Sequence, residues 1–402
     1  MARPFSKSRH KNRLRLLLVI LFLCSGCALK EKLYFRAPTE LPFVTREMKT
    51  AGYWISRHPS PDRIILDSKK IEQFNERVKE LKLIENIRPD GFITHYADQR
   101  FEPTSKPRYE KPGDVDFDEQ QNSALDVGTP VAILEYSHDK QWINVASESS
   151  RGWVQADKIE KGDRHLCPLF SEEMEKGTEV SVPFFVVIRP KADIYLDTQL
   201  TKYYDHVQMG TMFPLVKKIN DEVIKIPLGY MHAQDVHEDY LTFTVRNVFQ
   251  QAFELLNSPY GWGGMYGEQD CSRFLQQIFA TVGIKLPRDS KNQARVGLKF
   301  VEFTKESTDQ EKIDALKKIN DGIVILTMKG HIMLYLGIVE DRPYAIHSVW
   351  AYREPTLHGD RIRVINRVAV TDLSLGQGSK KGSLLKRLSG IVFIQNEEPL
   401  PN

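Results

Sequence analysis

Three side chains have the types and the order that nucleophilic sulfur chemistry requires. Cys271 stands between Asp270 and Ser272 in the stretch QDCSRFLQQIFATVG, His331 opens the apolar run in KGHIMLYLG, and His347 lies inside YAIHSVW. In such chemistry a thiolate attacks a carbonyl carbon, an imidazole takes and returns the proton, and a further polar group holds that ring. On this logic Cys271 is the nucleophile, His331 the base and His347 the residue that orients it. Each also has a plainer reading by itself. The cysteine could be a small core hydrophobe or half of a disulfide, and a lone strand histidine is commonly a satisfied, half-buried residue. Apart from Cys24 and Cys27, a CxxC in the opening segment, no CxxC or HxxxH partner set is present for Cys167 or Cys271, so a zinc site is not expected.

The elements around these residues suit the catalytic reading. Phe274, Leu275, Ile278, Phe279 and Val282 follow the three-four spacing of a buried helical face, and Gly283 supplies a stop. Cys271 then falls in the first turn, where unpaired N–H groups and the helix dipole favour a thiolate. Upstream, VRNVFQQAFELLNSP reads as a helix ended by Asn257 and Pro259, followed by the glycine-rich turn YGWGGMYGEQ. Gly263 and Gly264 are expected to let backbone approach a substrate, and Trp262 to serve packing. Downstream, GIVILTM, GHIMLYLGIVE and YAIHSVW read as consecutive strands, with RIRVINRVAV and LSGIVFIQ as further ones. A helix carrying cysteine followed by an antiparallel sheet carrying histidine is an α+β arrangement. Nothing diagnostic is visible in the insert between Pro287 and Gly330.

Four regions separate by pattern after the opening segment. Residues 28–104 contain an amphipathic helix that starts at the N-cap Asp67 and places Ile71, Phe74, Val78 and Leu81 on one face. They are expected to form a mostly helical, stabilising domain. The proline- and charge-rich EPTSKPRYEKPGD then reads as a linker. Residues 116–165 alternate in short strands, TPVAILEYS, QWINVASE and RGWVQADKI, which suits a small barrel. Residues 183–238 repeat that texture. Residues 241–400 carry the cysteine and histidines.

The chain has 402 residues with a formal net charge of +3, and 41% of them are apolar. Arg3, Lys7, Arg9, Lys11, Arg13 and Arg15 account for much of the positive charge, so the rest lacks the clustered basic face that nucleic acid requires. This basic start precedes LRLLLVILFLCSGC, whose apolar core is short for a membrane span. Residues 1–27 resemble a bacterial lipoprotein signal, which implies lipidation of Cys27 and export. The match departs from the usual pattern at Cys24, where leucine is expected, and a plain secretory signal or uncleaved anchor is the alternative. With Cys24 removed and Cys27 lipidated, Cys167 and Cys271 remain. A disulfide between them would take the helix head out of use, so Cys167 is expected to be a buried, inert thiol.

Tyr260-Gly261-Trp262-Gly263-Gly264, Asp270-Cys271-Ser272, Gly330-His331 and His347 occur in one order. With these residues the chain resembles the NlpC-type murein cysteine peptidases, a papain-like family, in the branch with an N-terminal helical domain and two bacterial SH3-like domains. The resemblance implies a hydrolase that cuts the γ-D-glutamyl–diamino acid bond of murein stem peptides, working with no cofactor. It implies that Tyr260 helps hold the oxyanion and that Asp270 and Ser272 flank the nucleophile. Asp289 and Ser290, in PRDSKNQ, would contact the amino end of the peptide, although an N-cap is an equal reading of that pair. A barrel would close one end of the groove, so that only a free N-terminal L-Ala fits. The implied setting is the cell envelope, with a monomer anchored by lipid on the periplasmic side of the outer membrane. Two other readings remain: a non-catalytic peptidoglycan-binding lipoprotein, and an amidase or acyltransferase on the same fold.

Overall fold

The computed structural model describes residues 34–84, 87–111, 115–162 and 183–395. The signal segment 1–27 with Cys27, and Cys167, lie outside the described residues.

The cysteine and histidines belong to one layered α+β unit. A seven-stranded sheet runs in the order Tyr34–Arg36, Gly359–Asp372, Arg342–Thr356, His331–Val339, Val324–Met328, Leu388–Phe393, Leu298–Glu302. All neighbours are antiparallel except the first pair, where Tyr34–Arg36 lies parallel to Ile362–Val364. The helix Cys271–Ala280 packs on the His331 and Arg342 strands. Its buried stripe, Phe274, Leu275, Ile278 and Phe279, joins Ile332, Leu334 and Ile346 in one core. The helix expected upstream spans Val245–Glu254, capped by Thr244 through its side chain. Between Pro287 and Gly330, the strand Leu298–Glu302 extends the sheet at its outer edge, and a capping box at Thr308 and Glu311 starts the helix Asp309–Lys317.

The N-terminal region does not form a separate helical domain. Its helices Ala51–Ile55 and Ser68–Glu80 bury Trp54, Phe74 and Val78 in the same core as the cysteine helix. Trp54 lies 5.4 Å from the Tyr344 ring, Asn75 binds Gly283 O and Lys285 N, and Arg77 binds Val296 O. An amphipathic period shows that a face is buried but not against what. The rest of the region leaves it altogether: Gly91–Ile93 and Ala97–Arg100 are strands of the first barrel. At three and four residues they are too short for a period of two to register.

That barrel is a seven-stranded sheet around Ile93, Leu125, Val131, Ile143, Val145 and Val154. The second barrel, Phe184–Glu238, combines a five-stranded and a three-stranded sheet around Phe185, Val187, Ile194, Val207, Phe213, Ile224 and Met231. Val127 of the first barrel is buried in the second barrel's core. The two barrels therefore share apolar surface.

Candidate active site

The helix at Cys271 begins where the sequence places it. Asp270 is extended (φ −81°, ψ −176°) and its Oδ1 accepts from the N–H groups of Ser272 at 3.1 Å and Arg273 at 2.9 Å. This cap leaves out the amide of Cys271 itself. Asp270 is the pivot of a buried network. Arg288 donates to both its oxygens, at 3.2 and 2.7 Å, and Gly263 N donates to Oδ2 at 3.2 Å. Ser272 Oγ donates to Asp270 at 2.9 Å and accepts from Arg288 at 2.9 Å, while Arg288 Nε reaches Ser123 of the first barrel at 3.0 Å. Burial works to raise the Asp270 pKa, yet the charge and hydrogen bonds of Arg288 hold it below the usual carboxylate value. Asp270 and Ser272 thus flank the nucleophile as expected, but their polar atoms are spent on the helix head.

Cys271 is a free, buried cysteine. Its sulfur faces the backbone of Ile332, the residue after His331, so sheet and helix meet at the thiol. Burial, with the nearby Asp270 charge, pushes this thiol up to about 12, against the pull of the Ile332 amide and Arg288. The dipole argument anticipates the opposite direction. It omits two facts: the helix head is closed over by the sheet, and the capping group is itself an anion. At rest the Cys271 thiol and the His331 imidazole are therefore both neutral. Burial, helped by the charge of Arg387, draws His331 down to about 4.

The two histidines meet. His331 Nε2 lies 2.6 Å from His347 Nδ1, and His347 Nε2 lies 2.9 Å from Thr371 Oγ1. His347 is fully buried, and burial followed by the neighbouring His331 charge holds its pKa well below the ordinary value. If His331 becomes an imidazolium, its Nε2–H donates to His347 Nδ1. His347 then carries its own proton on Nε2 and donates to Thr371. The chain runs from base to hydroxyl in one direction and leaves His331 Nδ1 free of that bond. Ser348, beside His347, donates to Gln269 O at 2.7 Å and ties this strand to the turn before Asp270.

Tyr260 stands close enough to Cys271 and Asp270 for both charges to act on it. Burial first, then those two charges, raises its pKa well above the ordinary value, so the phenol keeps its proton. Its hydroxyl has no hydrogen bond to another described residue. Asp289 is exposed and caps the short helix Ser290–Gln293, accepting from Asn292 N at 2.9 Å. The expected cap is formed, a role compatible with contacting a peptide, and Ser290 opens the helix.

Gly263 and Gly264 have φ of +60° and +90°, a region open chiefly to glycine. Their close neighbours are protein rather than an open groove. A Cβ on Gly263 would meet Gln121 Cγ at 2.7 Å, and one on Gly264 would meet Ala124 Cβ at 2.8 Å. These glycines admit the first barrel's strand Gln121–Leu125 to the turn. Trp262 packs at 5.2 Å from Phe117 and donates to Asp118 O at 3.2 Å. The helix also grips both barrels: Arg273 pairs with Asp126 of the first and binds Gln208 of the second, which also accepts from Gln277 at 2.8 Å.

Sequence reasoning missed Arg288, Thr371 and Ser123. Each comes from a different element than Cys271, and nothing in its own segment marks it as a partner of the site. Among the described residues no group of three His, Cys, Asp or Glu side chains is placed to hold a metal ion.

Residues 257–352 match the NlpC/P60 family, and residues 107–155 match the SH3 domain of SH3b1 type. A γ-D-glutamyl-L-lysine dipeptidyl-peptidase of Bacillus subtilis (strain 168) is 40% identical over 55 residues, 13% of this chain and 19% of that protein. The match thus spans about a fifth of that relative's length. An NlpC/P60 endopeptidase of Photobacterium damselae subsp. piscicida shares the fold with a TM-score of 0.69 at 18% identity, over 90% of this chain and 99% of that one. An NlpC/P60 family protein of Bacillus cereus ATCC 10987 gives a TM-score of 0.51 at 20% identity, over 77% and 99%.

Proposed function

From a chain whose residues 257–352 are an NlpC/P60 domain set beside an SH3b-type barrel, we propose a cell-wall cysteine endopeptidase that hydrolyses the γ-D-glutamyl–diamino acid bond of murein peptides. The observation that carries this reading is the buried line from Cys271 at the helix head, through the strand start at His331 and Ile332, to His347 and Thr371.

In this reading His331 Nδ1 takes the Cys271 proton as the sulfur attacks the γ-glutamyl carbonyl carbon. The resulting imidazolium is stabilised through Nε2 by His347. The oxyanion is held by the Cys271 N–H, free of the Asp270 cap, and by the protonated Tyr260 hydroxyl. Collapse breaks the C–N bond, and His331 gives its proton to the departing amine. Water, deprotonated by His331, then attacks the thioester and releases the γ-glutamyl acid and the thiol. Substrate entry must offset the burial that keeps thiol and imidazole neutral, and the mutual attraction of thiolate and imidazolium contributes to that.

The first barrel reaches the site through Ser123 and Gln121, which supports its role in closing the end of the groove that takes the free L-Ala terminus. Export and lipidation at Cys27 complete the proposal, on the strength of the residue 1–27 pattern. The test is digestion of L-Ala-γ-D-Glu-diaminopimelate with product mass spectrometry. Wild type should release L-Ala-γ-D-Glu, and Cys271→Ala, folded by circular dichroism, should release none. Equal turnover by the two proteins would refute the assignment.

A further inference from the structure

The sheet register puts one more charged group beside the site. Leu388, Met328 and His331 stand in one row across three adjacent strands. Strands lie about 4.8 Å apart, so Leu388 is about two such spacings from His331. Arg387, the residue before Leu388, ends the short helix Leu384–Arg387. Its guanidinium is half-buried, and it has no hydrogen bond or ion pair with another described residue. Burial lowers its pKa, and among charges it is the foremost influence on the His331 ring. Among the described residues, the arginines held deepest are paired: Arg100 with Asp118, Arg273 with Asp126 and Arg288 with Asp270. A partly desolvated cation left unpaired is costly, and an arriving anion would relieve that cost.

The sheet order also fixes the side. Tyr260 N donates to Asn366 O, and Phe117 of the first barrel packs 4.8 Å from Trp350, so the barrel lies on the Arg342 and Gly359 strands. Arg387 enters from the Val324 and Leu388 strands, across His331 from the barrel. If the barrel end takes the amino terminus of the peptide, Arg387 faces the leaving group.

We propose that Arg387 is a specificity-determining residue that binds a carboxylate carried by the diamino acid on the leaving side of the scissile bond. This rests on the endopeptidase reading above. The carboxylate is that of the diamino acid's side chain or of its own α-carbon.

The experiment uses the full chain, wild type and Arg387→Gln, with three peptides. L-Ala-γ-D-Glu-diaminopimelate amidated at its α-carboxyl carries only the side-chain carboxylate. L-Ala-γ-D-Glu-L-Lys with a free end carries only the α-carboxylate. L-Ala-γ-D-Glu-L-lysinamide carries neither. Wild type should favour one carboxylate peptide over the lysinamide by about 10- to 100-fold in kcat/KM, the range of a charge-assisted hydrogen bond. In Arg387→Gln that ratio should fall toward one, and the peptide whose ratio collapses names the carboxylate. Arg387→Lys, which keeps the charge without the fork, should fall between. An unchanged ratio, or equal losses on all three peptides in both variants, overturns the role of Arg387 while the hydrolase stands. Cleavage of none of the three by wild type overturns both.

Discussion

His331 Nε2 and His347 Nδ1 face each other at 2.6 Å, with the rings inclined at 66°, and the far nitrogen of His347 rests on Thr371 Oγ1. The base is therefore oriented by a neutral ring whose far nitrogen is held by a hydroxyl. Thr371→Val keeps the shape but removes the acceptor, leaving a buried N–H unsatisfied at a cost of about 1–3 kcal/mol. It should lower kcat/KM about tenfold or more, with Thr371→Ser recovering most of the loss. Removing the base with His331→Ala should cost about 10²- to 10⁴-fold. Steady-state cleavage of L-Ala-γ-D-Glu-diaminopimelate reads all three, and a Thr371→Val enzyme as active as wild type would show that the hydroxyl plays no part.

The buried imidazoles set the pH profile. With His331 drawn down to about 4, the neutral base persists far below the ordinary histidine range. The acid limb of kcat/KM should lie near pH 4 rather than near 6.5, since this parameter reports the free enzyme. Stability moves in the same sense. His331 and His347 have folded pKa values below the unfolded one, so protonation favours the unfolded chain. Stability should be full above about pH 6.5 and decline as pH falls toward 4. Urea midpoints between pH 4 and 8 check this, and a kcat/KM limb at 6.5 would mean a solvated His331.

Much of this site was legible in the sequence because its parts are local. The apolar stripe from Phe274 to Val282 defines the helix and puts Cys271 in its first turn, and the strand runs at His331 and His347 are long enough for their pattern to show. The rest depends on contacts between distant segments. Nothing around Arg288 says that it meets Asp270, and nothing around Thr371 says that it meets His347. The face of Ser68–Glu80 reads as buried, but its partner is the catalytic core and not a domain of its own. The thiol's pKa direction was missed for the same reason: a helix dipole is a local property, and burial under a sheet is not.

The junction between barrel and turn should be intolerant of added volume. Gly264 sits at φ +90°, and a Cβ there would meet Ala124 Cβ at 2.8 Å. Gly264→Ala should destabilise the protein by more than about 1 kcal/mol, from strain and clash together. Ala124→Gly in the same chain removes the clash and leaves the strain, so it should recover part of the loss. Thermal unfolding of the single and double variants separates the two contributions, and full recovery would mean that the backbone costs nothing.

The Arg288 and Asp270 pair should behave as a buried ion pair whose members depend on each other. Asp270 is 7% exposed and Arg288 8%, and the guanidinium spans both carboxylate oxygens. Arg288→Met leaves a buried carboxylate without its cation, a change that costs about 3–5 kcal/mol in such settings. Adding Asp270→Asn removes the stranded charge and keeps an oxygen to cap Ser272 and Arg273, so the double variant should be more stable than Arg288→Met. The folded pKa of Asp270 is depressed, so the pair's contribution is present above the unfolded value of about 4 and lost as pH falls below it. The stability gap between wild type and Arg288→Met should therefore be wide at pH 7 and narrow at pH 3. A gap that stays constant across this range would assign the effect of Arg288 to packing alone.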